Sequence, residues 1–172
     1  MPEIAEVETV RNTLKPKLIG RTITNVKIYY DNIIDYPTPK EFIERIINQK
    51  INDISRYGKW LILDLDDYYL LSHLRMEGKY FFKKPNESLS PHEHVVFTLD
   101  NKEELRYHDV RKFGKMLLIE KDKIKELGPL KDLGYEPWSE DLTVSYLKEK
   151  YKNKKLPIKT VLLDQSIITG IG

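Results

Sequence analysis

The chain has 172 residues, room for one domain with part of a second, and 40% hydrophobic against 33% charged residues is the balance of an ordinary folded, water-exposed protein. No apolar run nears the ~18 residues needed to cross a bilayer, no signal-peptide core opens the chain, and the lack of cysteine excludes a disulfide framework and a thiolate metal site; the expected compartment is the cytosol. Lys and Arg number 29 against 27 Asp and Glu, so a net charge of +2 does not mark the whole molecule as a polyanion binder.

Ile4, Val7, Val10, Leu14 and Leu18 recur at helical spacing and predict an amphipathic helix from residue 4 to about 18, stopped at Gly20. Alternation over Thr22–Tyr30 predicts a strand. Pro39 suits the first turn of a short helix with Phe42, Ile43, Ile46 and Ile47 on its buried face. Strand signals follow at Lys59–Leu65 and Tyr68–Leu74, joined by an Asp66-Asp67 turn. Further strands are expected at Gly78–Phe82, His94–Leu99, Glu104–His108 and Phe113–Ile119, with a turn at Asp100-Asn101. Six or seven short strands after one helix predict an α+β, mainly β fold: a two-sheet antiparallel β-sandwich with flanking helices.

The texture changes near Gly134–Asp141, which reads as a linker dividing a first unit, 1–134, from a second, 135–172. Thr143 caps a helix to about Lys152, and Pro157 opens another through Leu163. This second unit has too little apolar surface to bury alone, so the chain reads as cut short. Lys148, Lys150, Lys152, Lys154, Lys155 and Lys159 make a basic run interrupted by Glu149. Such a run is a solvated face unless other phosphate-facing groups point the same way.

The second residue carries the sharpest chemical signal. Removal of Met1 would expose the secondary amine of Pro2, which can attack a sugar C1′ or a carbonyl carbon and form an iminium without a lysine. An α-amino group titrates near pH ~8, well below lysine. A retained Met1 would instead lock the nitrogen in an amide. Glu3 and Glu6 flank the site with carboxyls; their alternative role is stabilisation of the first helical turn. His92 and His94 stand two apart in an extended segment, but no third ligand accompanies them, and no metal is expected in this chain.

The opening Met-Pro-Glu-Ile-Ala-Glu-Val-Glu-Thr-Val, then Tyr57-Gly58-Lys59-Trp60-Leu61, then Ser72-His73-Leu74-Arg75-Met76-Glu77-Gly78, follow in an order that is informative as a set. His92-Glu93-His94-Val95, Leu105–Gly114, Ile158–Gln165 and Thr169-Gly170-Ile171-Gly172 continue it. Together they resemble bacterial formamidopyrimidine-DNA glycosylases, bifunctional enzymes that remove oxidised purines. The resemblance implies the sandwich followed by the truncated start of a helix–two-turn–helix domain. It also implies that an asparagine-containing turn and a zinc-binding four-cysteine finger belong beyond Gly172, so zinc is a cofactor of the full-length family and none is expected here. Ala5 departs from the usual proline, which removes no reactive group.

By that resemblance Pro2 is the nucleophile, Glu3 the acid that protonates the sugar oxygen, Glu6 a supporting carboxylate, and Lys59 an aid to β-elimination. Met76, Arg111 and Phe113 are the duplex wedge that fills the hole left by an extruded base; core packing is the alternative for Met76 and Phe113, the latter at the opening of a strand. His73, His92, Arg111, Lys154 and Lys159 meet DNA, the histidines and lysines through its backbone, where contacts fix register without reading sequence. The expected partner is damaged double-stranded DNA, bound by a monomer with no membrane association. Two other readings stand beside this one: a truncated, catalytically weak DNA-binding domain, and the sister family acting on oxidised pyrimidines.

Overall fold

The computed structural model describes residues 2–172; Met1, and with it the question of its removal, lies outside the described residues. Helix α1 spans Ile4–Leu18 and buries Val7, Leu14 and Leu18, the stripe set by its helical spacing. Strand β1 (Ile23–Ile28) and the three-residue β2 (Ile34–Tyr36) precede α2 (Pro39–Ile46), where the Thr38 hydroxyl accepts the Glu41 N–H at 3.3 Å and Pro39 occupies the first turn. Then come β3 (Asp53–Tyr57), β4 (Trp60–Asp64), β5 (Tyr68–His73), β6 (Lys79–Lys83), β7 (Glu93–Leu99), β8 (Glu104–His108) and β9 (Lys115–Glu120). Helices α3 (Val144–Tyr151) and α4 (Ile158–Leu162) follow. Among the described residues no helix is long and apolar enough to cross a membrane.

Among the described residues the strands form a four-stranded sheet, β1-β7-β8-β6, and a five-stranded sheet, β2-β9-β5-β4-β3. They face each other across one core. Val26, Val95, Phe97 and Leu105 from the first sheet meet Ile54, Leu61, Leu70 and Leu118 from the second. α1 and α2 close its edges, with Phe42 packed on Phe97 at a ring separation of 6.4 Å. Each fully buried Leu, Ile or Phe contributes roughly 1.5–3 kcal/mol, so the two facing surfaces account for most of the driving force.

The five-stranded sheet is buried on its outer face too. Trp60, Leu71, Leu117 and Ile119 point away from the shared core and are covered by Ile124, Leu127, Leu130 and Leu133. That is why Met116–Ile119 reads as a continuous apolar run rather than an alternation.

Two expectations are corrected, and one strand lies outside those expected. β3 does not announce itself in the sequence, because Asp53, Ser55 and Arg56 are poor strand formers. It forms because every residue from Asp53 to Tyr57 finds a register partner on β4 and Ile54 packs into the core. β2 pairs with β9 in parallel, so the second sheet is mixed rather than wholly antiparallel. Lys59 and Phe113, expected at strand openings, lie before the strands: Lys59 in the β3–β4 turn, Phe113 in the loop ahead of β9.

Candidate active site

Strand register gathers the predicted residues at one end of the sandwich. Tyr57 pairs with Trp60, Trp60 with His73, and His73 with Lys115. In the other sheet both Lys79 and Glu93 pair with His108. The connections leaving these residues therefore share an edge: Gly58-Lys59, then 74–78 carrying Arg75 and Met76, then 109–114 carrying Arg111 and Phe113. His92 precedes Glu93 at the same edge. The Asp66-Asp67 and Asp100-Asn101 turns lie at the other end.

Lys59 is buried, with only 5% of its side chain exposed, and its Nζ stands 3.2 Å from Glu3 Oε2. The contact is ionic and not aligned as a hydrogen bond, so among the described residues the amine keeps its donors unspent. Glu3 is the N-cap of α1 and half of its side chain is exposed. Pro2, the residue before it, is half-buried. Glu6 accepts the Glu3 N–H at 2.6 Å, which ties its carboxylate to the backbone of the first turn.

The end of the described chain returns to this pair. A β-carbon at Gly172 would fall on the Glu3 carboxylate and lie 2.5 Å from Lys59 Nζ. The return is shaped by Gln165, whose Oε1 accepts the Gly170 N–H at 2.7 Å while its Nε2 donates to the Ile171 carbonyl at 2.8 Å. Gln165, Ile171 and Gly172 line, with Lys59, Trp60, His73 and Arg75, a cleft of about 480 Å³. Gln165, Gly172, Trp60 and Arg75 each belong to one of the sequence motifs, but only the chain path aims them at the cleft.

His73 is held as a neutral imidazole. Its ring packs edge-on to Trp60 at 4.9 Å, and its Nδ1 accepts the Arg75 N–H at 3.0 Å, which leaves the proton on Nε2. Burial, reinforced by the Arg75 and Lys59 charges, pushes its pKa down to about 4. At neutral pH it is therefore a hydrogen-bond donor, not a cation.

Met76 and Phe113 are 42% and 49% exposed, which sets aside the core-packing alternative for both. The Arg111 guanidinium lies 5.1 Å above the Phe113 ring. His92 and His94 do not converge. His94 is buried and its Nε2 meets the Asp109 carbonyl at 2.6 Å, whereas His92 stands edge-on to His108 at 5.6 Å. Among the described residues no group of three His, Asp or Glu side chains is arranged to hold a metal. Lys154 reaches Asp164 at 3.8 Å, next to the cleft residue Gln165. Lys159 lies exposed on α4, its carbonyl accepting the N–H of the cleft residue Leu163 at 3.2 Å.

Comparison with known proteins points in one direction. Residues 1–116 match the formamidopyrimidine-DNA glycosylase N-terminal domain family. Relatives named formamidopyrimidine-DNA glycosylase include one from Lactobacillus johnsonii, 46% identical over all of this chain and 62% of its own. Another, from Bacillus subtilis, is 44% identical over all of this chain and 63% of its own. The chain thus spans under two thirds of the relatives it matches. The structure of the Lactococcus lactis enzyme non-covalently bound to DNA containing an AP site superposes with a TM-score of 0.91 at 34% identity, covering 99% of this chain and 65% of that one. Its complex with FAPY-dG-containing DNA gives a TM-score of 0.90 at 34% identity, with coverage of 99% and 64%.

Proposed function

The chain belongs to the formamidopyrimidine-DNA glycosylase family, and from that premise we propose that it is the catalytic part of a base-excision repair enzyme. The enzyme removes oxidised purines, 8-oxoguanine and formamidopyrimidines, and then cuts the strand at the abasic site. The observation that carries this reading is the 3.2 Å approach of Lys59 to Glu3, one residue from Pro2. That approach lies at the sandwich end from which Met76, Arg111 and Phe113 project.

In this mechanism Pro2, freed of Met1, attacks C1′ with its nitrogen lone pair as the bond from C1′ to the base breaks. Glu3 protonates the sugar ring oxygen, and the opened sugar is left as an iminium on Pro2. The iminium acidifies C2′; loss of that proton expels the 3′ phosphate, with Lys59 beside the reacting sugar to move the proton and meet phosphate. Glu6 supports Glu3 through the first turn of α1. Met76 fills the vacated position, Phe113 kinks the stack and Arg111 bonds the orphaned partner base. His73, His92, Lys154 and Lys159 meet the backbone, His73 through its Nε2–H.

The same reading takes residues 1–134 as the catalytic sandwich and 135–172 as the opening of a helix–two-turn–helix unit. It assigns zinc to a finger outside residues 1–172, and makes damaged duplex DNA the partner of a cytosolic monomer. Borohydride trapping of the full-length protein on an 8-oxoguanine duplex tests the chemistry. We expect a covalent adduct on the peptide that begins at Pro2. No adduct from protein whose intact mass lacks Met1 would refute the covalent route.

A further inference from the structure

Asp109 is fully buried and, among the described residues, no cation neutralises its side chain; its carboxylate is satisfied by donors from its own loop and from Tyr107 of β8. Oδ1 accepts the Lys112 N–H at 3.0 Å, while Oδ2 accepts the Gly114 N–H at 2.8 Å and the Tyr107 hydroxyl at 2.9 Å. Its main chain is held as firmly: the carbonyl meets His94 Nε2 and the N–H donates to the His92 carbonyl at 2.9 Å. The loop from Val110 to Gly114 is thus wrapped around one carboxylate, and Lys112, immediately before Phe113, takes a left-handed backbone at φ 61°.

The Tyr107 hydroxyl reaches the second loop as well. A β-carbon at Gly114 would overlap that oxygen, and one at Gly78 would lie 2.5 Å from it. Gly78 closes the turn that carries Met76, and in that turn Arg75, immediately before Met76, is also left-handed at φ 53°. One buried hydroxyl therefore sits between the bases of the two loops. Burial, with Tyr80 and Asp109 nearby, raises the Tyr107 pKa well above the ordinary phenol range, so the hydroxyl keeps its proton and acts as donor to Asp109.

We propose that Tyr107 and Asp109 are positioning residues that fix the Met76 turn and the Arg111–Phe113 loop as one rigid wedge. Neither residue lines the cleft that Lys59 faces, and the inference rests on the wedge role given to those three side chains above. Exposed loops ordinarily hold several conformations. Prying a base out of a stacked duplex needs apolar groups held at fixed positions, and misplacement by about 1 Å is worth up to ~100-fold in rate. An asparagine at 109 has one acceptor oxygen where the carboxylate has two, and its amide would face an N–H donor. Asp109→Asn thus breaks the lock at constant volume.

The test uses the full-length protein with Asp109→Asn and Tyr107→Phe. A duplex carrying 2-aminopurine beside a tetrahydrofuran abasic analogue reports wedge insertion as a fluorescence rise, independent of chemistry. Excision from an 8-oxoguanine duplex and borohydride trapping at a preformed abasic site are followed in parallel. We expect both variants to lose most of the fluorescence rise and about 10-fold in excision rate, while trapping at the preformed site stays within about 2-fold. An unchanged fluorescence rise overturns the proposal. So does a loss of trapping in proportion to excision, which would mark the pair as a general prop of the fold. Absence of trapping by the wild-type protein would instead refute the assigned chemistry, and the fluorescence would still decide the positioning role.

Discussion

Replacing Arg56 with methionine tests how the turn that presents Lys59 is anchored. Arg56 is 10% exposed, and its Nε donates to Glu8 Oε2 at 2.9 Å. Its Nη1 donates to the Gly58 carbonyl at 2.7 Å and to Glu136 Oε1 at 2.5 Å. The same Glu136 oxygen accepts the Gly58 N–H at 2.9 Å. One guanidinium thus joins α1, the turn that presents Lys59, and the segment after Gly134. Methionine keeps the bulk and removes these bonds.

Glu8 is a third exposed and retains Arg11, whose hydrogen bonds are the largest cause holding the Glu8 carboxyl below its usual range. Its loss is small. Glu136, 12% exposed, is left with a single N–H. Stranding a buried charge costs about 3–5 kcal/mol; the residual exposure and the surviving N–H reduce this to about 2–3 kcal/mol. For a chain of this size that lowers Tm by roughly 4–12 °C. Urea denaturation of the wild type, Arg56→Met, Glu136→Gln and the double variant measures it. Removing the Glu136 charge relieves the stranded carboxylate, so the double variant should lose about 1–2 kcal/mol less than the sum of the singles. A cost below about 0.5 kcal/mol for Arg56→Met, or strict additivity, would refute the argument.

His73 gives a pH signature. Its folded pKa of about 4 lies below an unfolded value near ~6.5, so between the two the unfolded chain binds more protons, and stability falls as pH drops through that window. The imidazole should account for about 2 kcal/mol of loss between pH 7 and 4.5. Chemical denaturation at both pH values should find that much less loss in His73→Asn; equal losses would mean the ring is not held neutral. For the basic segment, Lys154→Ala and Lys159→Ala should each lower the salt dependence of duplex binding by about one unit of slope. Anisotropy titrations between 50 and 200 mM salt, on the order of the range where such slopes are read, check this, and unchanged slopes would remove those lysines from the interface.

Residue spacing alone determined α1, α2 and most of the strands, because helical and alternating periodicities are local properties of a chain that buries one face. It also determined the chemical inventory: a proline at position 2, carboxyls beside it, and a set of motifs whose family proved to be the right one. Only the tertiary structure decided what that inventory faces. Register between strands puts Lys59, Met76, Arg111 and Phe113 at one end, and brings Lys59 onto Glu3 from 56 positions away. Arg56 finds Glu136 across 80 residues, and a polar stretch becomes β3 because β4 supplies its partners. His94, a neighbour of His92 in sequence, is turned inward to Asp109 instead. Such contacts leave no periodic trace, since each depends on where a distant strand ends; the physics that selects them is burial and hydrogen-bond satisfaction over the whole fold.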